Sequence, residues 1–255
     1  MGVSEEPIVV THDGDVALLR LNRPAKRNAV SNALIRAIGS FFHAPPDGTK
    51  AVVLAAAGDH FCAGVDLSEH VEREAADVLH GSREWHRILT QVQFGGLPVV
   101  SALKGAVIGG GLEIATATHV RVAEPSTFFQ LPEGKRGIFV GGGGSVRVAR
   151  IVGADRMAEM MLTGRRYDAA DGVRLGLAHY LAGAGEAEAK ALELAREIAG
   201  NAPLSNYLAI QALSRIGDMA ASDGLFTESL AVALAQTSPD AKTRLQEFLT
   251  RKQRA

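Results

Sequence analysis

The segment GAVIGGGLEIATATH, which spans residues 105–119, decides how this chain is interpreted. An apolar run leads into Gly109–Gly111, and small and apolar residues with helical spacing follow. Glycines at a helix start let a ligand approach backbone N–H groups that have no partner within the helix. Such N–H groups bind a phosphate, or they stabilise a carbonyl oxygen that becomes an oxyanion. Tight packing is the plainer role for the same glycines.

A phosphate-binding role is poorly supported by the neighbouring residues. No Lys-Ser or Lys-Thr pair follows a glycine run, so the pattern of a P-loop is missing. No glycine cluster combines a strand–turn–helix context with an acidic residue about 20 positions on that would bind a ribose. A further run, Gly141–Gly144, has no strong strand before it. Oxyanion stabilisation and tight packing are therefore the two roles left open.

Two glutamates lie in unusual positions around this segment. Glu113 stands in an otherwise uncharged stretch, so we expect its carboxyl group to be buried or to line a pocket, with a raised pKa. Glu133 lies in FFQLPEG, residues 128–134, after an aromatic strand. Two carboxylates held away from water are typical of general acid–base catalysis. A helix cap or an ion pair is the structural alternative.

Other kinds of active site find little support in the sequence. The chain has eight histidines but no His-Glu-x-x-His motif, and no Gly-x-Ser-x-Gly elbow occurs. The single cysteine, Cys62, excludes a disulfide framework and a thiolate zinc site, and we expect a small buried thiol. We expect no metal site, and we expect Trp85 to serve packing.

Composition indicates a globular protein and excludes several classes. Of 255 residues, 47% are hydrophobic and 22% are charged, as in ordinary folded domains. Lys plus Arg number 27 and Asp plus Glu number 28, so we expect no nucleic-acid or anionic-membrane partner. No apolar run is long enough to predict a membrane span, and the acidic N-terminus fits no targeting signal. The single cysteine fits a reducing compartment, and we expect a cytoplasmic protein.

The pattern of apolar residues predicts an α/β core followed by a helical C-terminal region. The first 140 residues mix strand and helix signals, and from about residue 145 the pattern is almost entirely helical. Predicted strands are two within 7–21, then 51–57, 98–103, 120–123 and 127–129. Predicted helices are 31–43, 68–94, 112–117, 145–152, 154–163, 168–175, 186–200, 204–217, 224–236 and 239–251.

Taken together, these segments resemble the crotonase superfamily, the enoyl-CoA hydratases and isomerases. Each motif is weak alone, but their order and spacing along nearly the whole chain are specific. The matching motifs are LNRPAKRNA at 21–29, GDHFCAGVDL at 58–67, GAVIGGGLE at 105–113, FQLPE at 129–133, the glycines at 141–144 and LTGR at 162–165. The resemblance implies an α/β spiral of ββα turns with a helical C-terminal trimerisation region. It implies a core over 1–195, an oligomerisation region over 196–255, and a homotrimer or a homohexamer.

The resemblance also implies the chemistry. Family members stabilise the enolate of a CoA thioester between two backbone N–H groups, which by motif position are those of Val65 and Gly110. Hydratases carry two glutamates, matched by Glu113 and Glu133, whereas simple isomerases typically keep only the second. The implied reaction is reversible addition of water to a 2-enoyl-CoA. Glu113 would hold the water and help to deprotonate it, and Glu133 would protonate the α-carbon.

The implied acyl-CoA site extends over several segments, with CoA as part of the substrate and no separate cofactor. The implied contacts are Lys26, Asn28, Ala29, Ala63, Gly64, Asp66, Leu67, Gly109 and Gly141, with Phe248 and Arg251 reaching the CoA of a neighbouring subunit. Lys135 and Arg136 depart from the apolar residues found in many hydratases, and would disfavour a plain fatty chain if they faced the acyl pocket. The alternatives are an isomerase, a hydratase-lyase acting on an aryl or modified chain, and a non-catalytic acyl-CoA-binding protein.

Overall fold

Two sheets organise the N-terminal part of the protein. The structure, a computed structural model, describes residues 6–69 and 73–254, with side chains as far as Thr250. The strands are β1 (Ile8–Asp13), β2 (Val16–Leu21), β3 (Ala51–Ala56), β4 (Val99–Leu103), β5 (Ala106–Ile108), β6 (Val120–Ala123), β7 (Phe128–Gln130), β8 (Tyr167–Asp168) and β9 (Tyr180–Leu181). The main sheet has the order β1-β2-β3-β4-β6-β9, and the smaller sheet has the order β5-β7-β8.

Helices cover the sheets and then form the C-terminal region. They are α1 (Asn32–His43), α2 (Ala75–Phe94), α3 (Gly110–Ala117), α4 (Gly144–Val152), α5 (Ala154–Thr163), α6 (Ala169–Arg174), α7 (Ala187–Ala199), α8 (Pro203–Ile216), α9 (Ala221–Thr237) and α10 (Pro239–Arg254). Short 3-10 turns lie at Pro24–Lys26, Leu67–Glu69 and Glu133–Arg136. The predicted α/β class with a helical C-terminal region is confirmed.

The inner strands of the main sheet are buried on both faces, which explains their continuous apolar sequences. All pairs from β2 to β9 in this sheet are parallel, and only β1 with β2 is antiparallel. Every residue of β3 is buried. Val52 and Leu54 join the core cluster that includes α1 and α2, whereas Val53 and Ala55 pack with α7. A parallel strand covered on both faces therefore needs no polar alternation.

A glycine turn carries the chain from the main sheet to the smaller sheet. Gly105 follows β4 with φ +51°, and a Cβ there would lie 2.2 Å from the carbonyl oxygen of Asp59, so only glycine fits. The next residues form β5, which pairs in parallel with β7. This turn carries the chain from β4 into β5, and α3 follows directly.

The C-terminal region begins later than the sequence suggested. The boundary after residue 195 falls inside α7, whose buried residues pack on the main sheet. That helix belongs to the core, because its apolar stripe covers the second face of the sheet. The separate region starts at α8, where Gln211 donates a hydrogen bond to the carbonyl oxygen of Phe94 at the end of α2.

The remaining differences are short elements and element ends. The sequence missed β5, β8 and β9, which have two or three residues each and owe their pairing to distant partners. The helix predicted over 68–94 was too long, because α2 starts at Ala75 and a 3-10 turn covers Leu67–Glu69. Residues 70–72 of that prediction lie outside the described part of the chain.

The helices were also compared with the dimensions of a bilayer. No helix among the described residues combines the length and the apolar composition needed to cross a membrane.

Candidate active site

Two backbone turns meet at the start of α3. Gly64 has φ +96°, and a Cβ on it would lie 3.1 Å from the carbonyl oxygen of Ile108 and 3.9 Å from the nitrogen of Gly110. Gly109 also has a positive φ, +51°. Glycine at both positions lets the turn at Ala63–Val65 pack directly against the first turn of α3.

The N–H groups of Val65 and Gly110 are available to a ligand. Val30 donates its N–H to the carbonyl oxygen of Gly64, and its own carbonyl oxygen accepts from the N–H of Asp66. The N–H of Val65, which lies between these two residues, takes no part in this pairing. Gly110 is the first residue of α3, so its N–H has no acceptor within the helix. Within the described ranges neither N–H has a partner. Two such donors side by side suit an oxyanion.

Glu113 is fixed by the glycine run at 141–144. The residue is 3% exposed, and its Oε1 accepts hydrogen bonds from the N–H groups of Gly142 at 2.7 Å and Gly144 at 2.8 Å. Burial raises the pKa of Glu113, and these N–H bonds together with the charge of Arg147 oppose the rise. The carboxylate is therefore held in one orientation by the backbone.

The glycines of this run are required by close packing. A Cβ on Gly142 would lie 2.7 Å from Cε3 of Trp85 and 3.2 Å from the carboxyl carbon of Glu113. A Cβ on Gly144 would lie 3.0 Å from Oε1 of Glu113. The tight-packing role that the sequence left open is confirmed for these glycines. They pack around the carboxylate of Glu113.

Glu133 lies on the other side of the glycine turn at Gly109, which leads into α3. It begins a 3-10 turn after β7, is 6% exposed, and its Oε1 lies 2.5 Å from where a Cβ of Gly109 would stand. Its Oε2 is buried and has no hydrogen-bond partner in the described part of the chain. Burial raises the pKa of Glu133, and the nearby charge of Glu113 raises it further. The structure thus brings together both predicted carboxylates and both predicted N–H donors.

This geometry was compared with known families. The family model for enoyl-CoA hydratase/isomerase matches residues 11–254. The chain belongs to the enoyl-CoA hydratase/isomerase family. The resemblance to the crotonase superfamily is therefore confirmed.

Relatives with hydratase names share the fold over nearly the whole chain. A crystal structure from Rhodopseudomonas palustris CGA009 with the provisional name enoyl-CoA hydratase is 51% identical, with a TM-score of 0.95 over 97% of this chain and 96% of that chain. An enoyl-CoA hydratase from Bacillus anthracis is 30% identical, with a TM-score of 0.90 over 96% of each chain. The 2,3-dehydroadipyl-CoA hydratase of Escherichia coli K12 is 32% identical over 96% of each chain. The expected crotonase-like fold is confirmed.

Two residues of the implied CoA site have side chains that are engaged within the protein. Asn28 is fully buried, accepts the N–H of Arg23 at 2.8 Å, and donates to the carbonyl oxygens of Ala57 and His60. Asp66 pairs with Arg23 at 2.8 Å and accepts from Ser68, and the Ser68 and Arg23 hydrogen bonds lower its pKa to about 2. These side chains position the loops that carry Val65, so any contact they make with CoA is through the backbone.

The other implied CoA contacts differ in exposure. Lys26 and Leu67 are exposed beside these loops, and Ala29, Ala63 and Gly141 are partly buried. Phe248 is 64% exposed on α10, and the side chain of Arg251 lies outside the described residues. Lys135 and Arg136 are exposed in the turn after Glu133, so neither places an unpaired charge in a buried acyl pocket.

Three residues around the site were missed at the level of sequence. Ser82 donates to the carbonyl oxygen of Gly141 at 2.6 Å, and Arg147 donates to that of Gly142 at 3.0 Å. Trp85 lies against Gly110 and Gly142. The available signal was the spacing of Ser82 and Trp85, one helical turn apart on α2.

Cys62 and metal ligation were also examined in the structure. Burial raises the pKa of the Cys62 thiol to about 12, so it is an inert buried group, as expected. The described residues contain no cluster of three His, Cys, Asp or Glu side chains that could hold a metal ion.

Proposed function

We propose that the protein is an enoyl-CoA hydratase that adds water reversibly to a 2-enoyl-CoA thioester. The observation that carries the proposal is the pair of buried carboxylates, Glu113 and Glu133, on either side of the glycine turn with its two N–H donors. An isomerase moves one proton within its substrate, and one carboxylate suffices for that. Hydration must also orient a water molecule and take a proton from it, which gives the second carboxylate a task.

The proposed reaction begins with the thioester oxygen between the N–H groups of Val65 and Gly110. The water oxygen forms a bond to the β-carbon, and the electrons of the double bond move toward the thioester carbonyl to give an enolate. The two N–H groups stabilise the enolate oxygen, and one such donor is typically worth about 3 kcal/mol. Collapse of the enolate takes up a proton at the α-carbon.

The two carboxylates are proposed to divide the proton transfers. Glu113, held by the N–H groups of Gly142 and Gly144, orients the water and takes its proton. Glu133, whose buried Oε2 has no protein partner among the described residues, delivers a proton to the α-carbon. Because the two groups influence each other, they titrate as a pair.

The names of three relatives support hydration as the reaction class. The Escherichia coli protein is named for hydration of 2,3-dehydroadipyl-CoA, and the two solved relatives carry hydratase names. Coenzyme A enters as part of the thioester, and the proposal includes no further cofactor. The exposed Lys26 and Leu67 flank the loops along which we propose that the CoA lies.

We also propose that the chain assembles as a trimer or a hexamer through its C-terminal helices. Large apolar side chains exposed on α8–α10 support this, because such surfaces commonly mark interfaces. They are Tyr207, Leu213, Leu225, Phe226, Leu230, Val232, Leu234, Leu245, Phe248 and Leu249. In that assembly Phe248 and Arg251 would approach the CoA of a neighbouring subunit.

The test of the reaction follows the loss of ultraviolet absorbance when crotonyl-CoA is hydrated. We expect wild type to remove the signal, and Glu113→Gln and Glu133→Gln each to lower kcat by about 10²–10⁴-fold, with affinity for the product thioester retained. The matched control is Glu197→Gln, an exposed glutamate on α7, which should behave as wild type.

Two outcomes would contradict the proposal. Conversion of a 3-enoyl-CoA to its 2-enoyl isomer without hydration would identify an isomerase. Thioester binding with no turnover of either substrate would identify a non-catalytic acyl-CoA-binding protein.

A further inference from the structure

Helix α2 passes over the site and places an aromatic side chain between its two halves. Ser82 fastens the helix to the glycine run through its hydrogen bond to the carbonyl oxygen of Gly141, at 2.6 Å. Trp85 follows one turn later on the same side. It is partly buried and packs against the main hydrophobic core, so its ring is anchored in this position.

The indole touches both halves of the catalytic centre. A Cβ on Gly110 would lie 3.1 Å from Cη2 and 3.3 Å from Cζ3 of Trp85, and a Cβ on Gly142 would lie 2.7 Å from Cε3. These three ring atoms are consecutive on the benzo edge. One edge of the ring therefore spans from the N–H donor at Gly110 to the backbone that holds Glu113.

This placement limits the room for an acyl chain. In the proposed reaction the thioester carbonyl binds at Gly110, and the β-carbon, two bonds away, must face the water held by Glu113. The substrate carbons beyond the β-carbon then approach the benzo edge of Trp85. A short conjugated acyl group can pack against the planar surface of the ring. A longer chain would have to enter the space that the ring already fills.

We propose that Trp85 closes the acyl pocket just beyond the β-carbon and restricts the enzyme to short 2-enoyl groups of about crotonyl size. The inference rests on the proposed function, and it assigns that site its substrate class. Trp85 is a specificity-determining residue, because it bounds the pocket and takes no part in proton transfer.

The test compares kcat/KM for crotonyl-CoA, trans-2-hexenoyl-CoA and trans-2-octenoyl-CoA. A hydrophobic pocket distinguishes chains differing by one methylene by about 10–200-fold, so wild type should lose at least about tenfold from crotonyl to octenoyl. Trp85→Ala and Trp85→Leu should raise the octenoyl-to-crotonyl ratio by about tenfold or more. Trp85→Phe should give a smaller rise, because a smaller ring leaves part of the wall in place.

The control on the same helix is Arg87→Ala, an exposed residue on the outer face of α2, which should leave the ratio unchanged. Circular dichroism establishes that each variant is folded, and the leucine variant serves if the alanine variant is not. An unchanged ratio in a folded Trp85→Leu protein would overturn the inference, since a ring that swings aside excludes nothing.

A binding measurement separates this inference from the proposed reaction. Calorimetry with the unreactive thioesters butanoyl-CoA and octanoyl-CoA needs no turnover. Wild type should prefer butanoyl-CoA, and Trp85→Leu should lose that preference even if no hydration is ever observed. Equal affinities of wild type for the two thioesters would contradict the inference while leaving hydration of crotonyl-CoA intact.

Discussion

Glu113 and Glu133 flank the same glycine turn, yet the protein holds them in opposite ways. Glu113 accepts two backbone N–H bonds from the glycine run, whereas Oε2 of Glu133 is buried with no partner in the described residues. A buried acceptor without a donor costs free energy, and native proteins keep such atoms mainly where function requires them. The difference indicates that the backbone fixes the orientation of the first carboxylate, whereas Oε2 of the second receives no hydrogen bond from the described residues.

The electrostatic surroundings differ in the same sense. Burial raises the pKa of both groups, but the N–H bonds and Arg147 oppose the rise at Glu113. At Glu133 the neighbouring charge of Glu113 adds to the rise, whereas a hydrogen bond from its own backbone and the charge of Arg136 oppose it. The positive charge of Arg147 favours the ionised form of Glu113, and the negative charge of Glu113 favours the protonated form of Glu133, in line with the proposed roles of base and acid.

The largest expected effect comes from disturbing the glycine run that holds Glu113. In Gly142→Ala the new Cβ would lie 2.7 Å from Cε3 of Trp85 and 3.2 Å from the carboxyl carbon of Glu113, so the backbone that holds the carboxylate, or the Trp85 ring and the carboxylate themselves, must shift. A misplacement of about 1 Å can lower kcat by about 10²-fold. Stopped-flow hydration of crotonyl-CoA measures it.

The matched control is another glycine-to-alanine change, Gly81→Ala in α2. Of the described residues, none comes within 4 Å of a Cβ at that position, so kcat should stay at the wild-type value. Wild-type turnover in Gly142→Ala would mean that the glycine run does not set the orientation of Glu113.

The sequence predicted which residues form the site better than it predicted the contacts that hold them in place. The carboxylates and the N–H donors lie in contiguous motifs, so their positions relative to the glycine turn followed from local order. The contact between the glycine run and Glu113 joins residues about 30 apart and depends on how α4 packs on α3. For Trp85 the available sign was its spacing from Ser82 on α2, and that sign is weak because an aromatic residue on a half-buried helix is most often a packing residue.

The fold shows the same limit. Strands with continuous apolar runs were predicted within a residue or two, as at β3 and β4. The short β8 and β9 carry no pattern of their own and form only because neighbouring strands supply hydrogen bonds. The boundary at residue 195 was misplaced because α7 and the C-terminal helices have the same periodicity, and only the sheet distinguishes them.

A smaller effect concerns the free energy of unfolding, which alanine should lower at Glu113 but not at Glu133. Glu113→Ala leaves the N–H groups of Gly142 and Gly144 without their acceptor, which costs about 1–3 kcal/mol for each unsatisfied group. Glu133→Ala removes a buried oxygen that has no partner within the described ranges, so the free energy of unfolding should be unchanged or slightly higher. Urea titration of both variants measures the contrast, and equal destabilisation would remove the distinction between the two sides.

The smallest effect is the pH dependence of that stability. The folded-state pKa of Glu133 lies above its usual value of about 4.5, so the folded protein binds the proton more tightly than the unfolded chain. Its contribution is fully present below the unfolded pKa and is lost as the pH rises through the folded pKa. Glu133→Gln keeps a neutral group at every pH. The free energy of unfolding of this variant should therefore increase relative to that of wild type as the pH rises from 4 to 8.

Urea titrations at a series of pH values measure this difference, with the exposed Glu197→Gln as the control. Groups common to wild type and variant cancel in the difference, which isolates position 133 together with its influence on Glu113. The difference in free energy of unfolding, variant minus wild type, should be constant at pH values below the usual pKa of a glutamate. It should increase at pH values above that pKa. A curve that is flat throughout would show that Glu133 is as well solvated in the folded protein as in the unfolded chain. The contrast with Glu113 would then rest on hydrogen bonding alone.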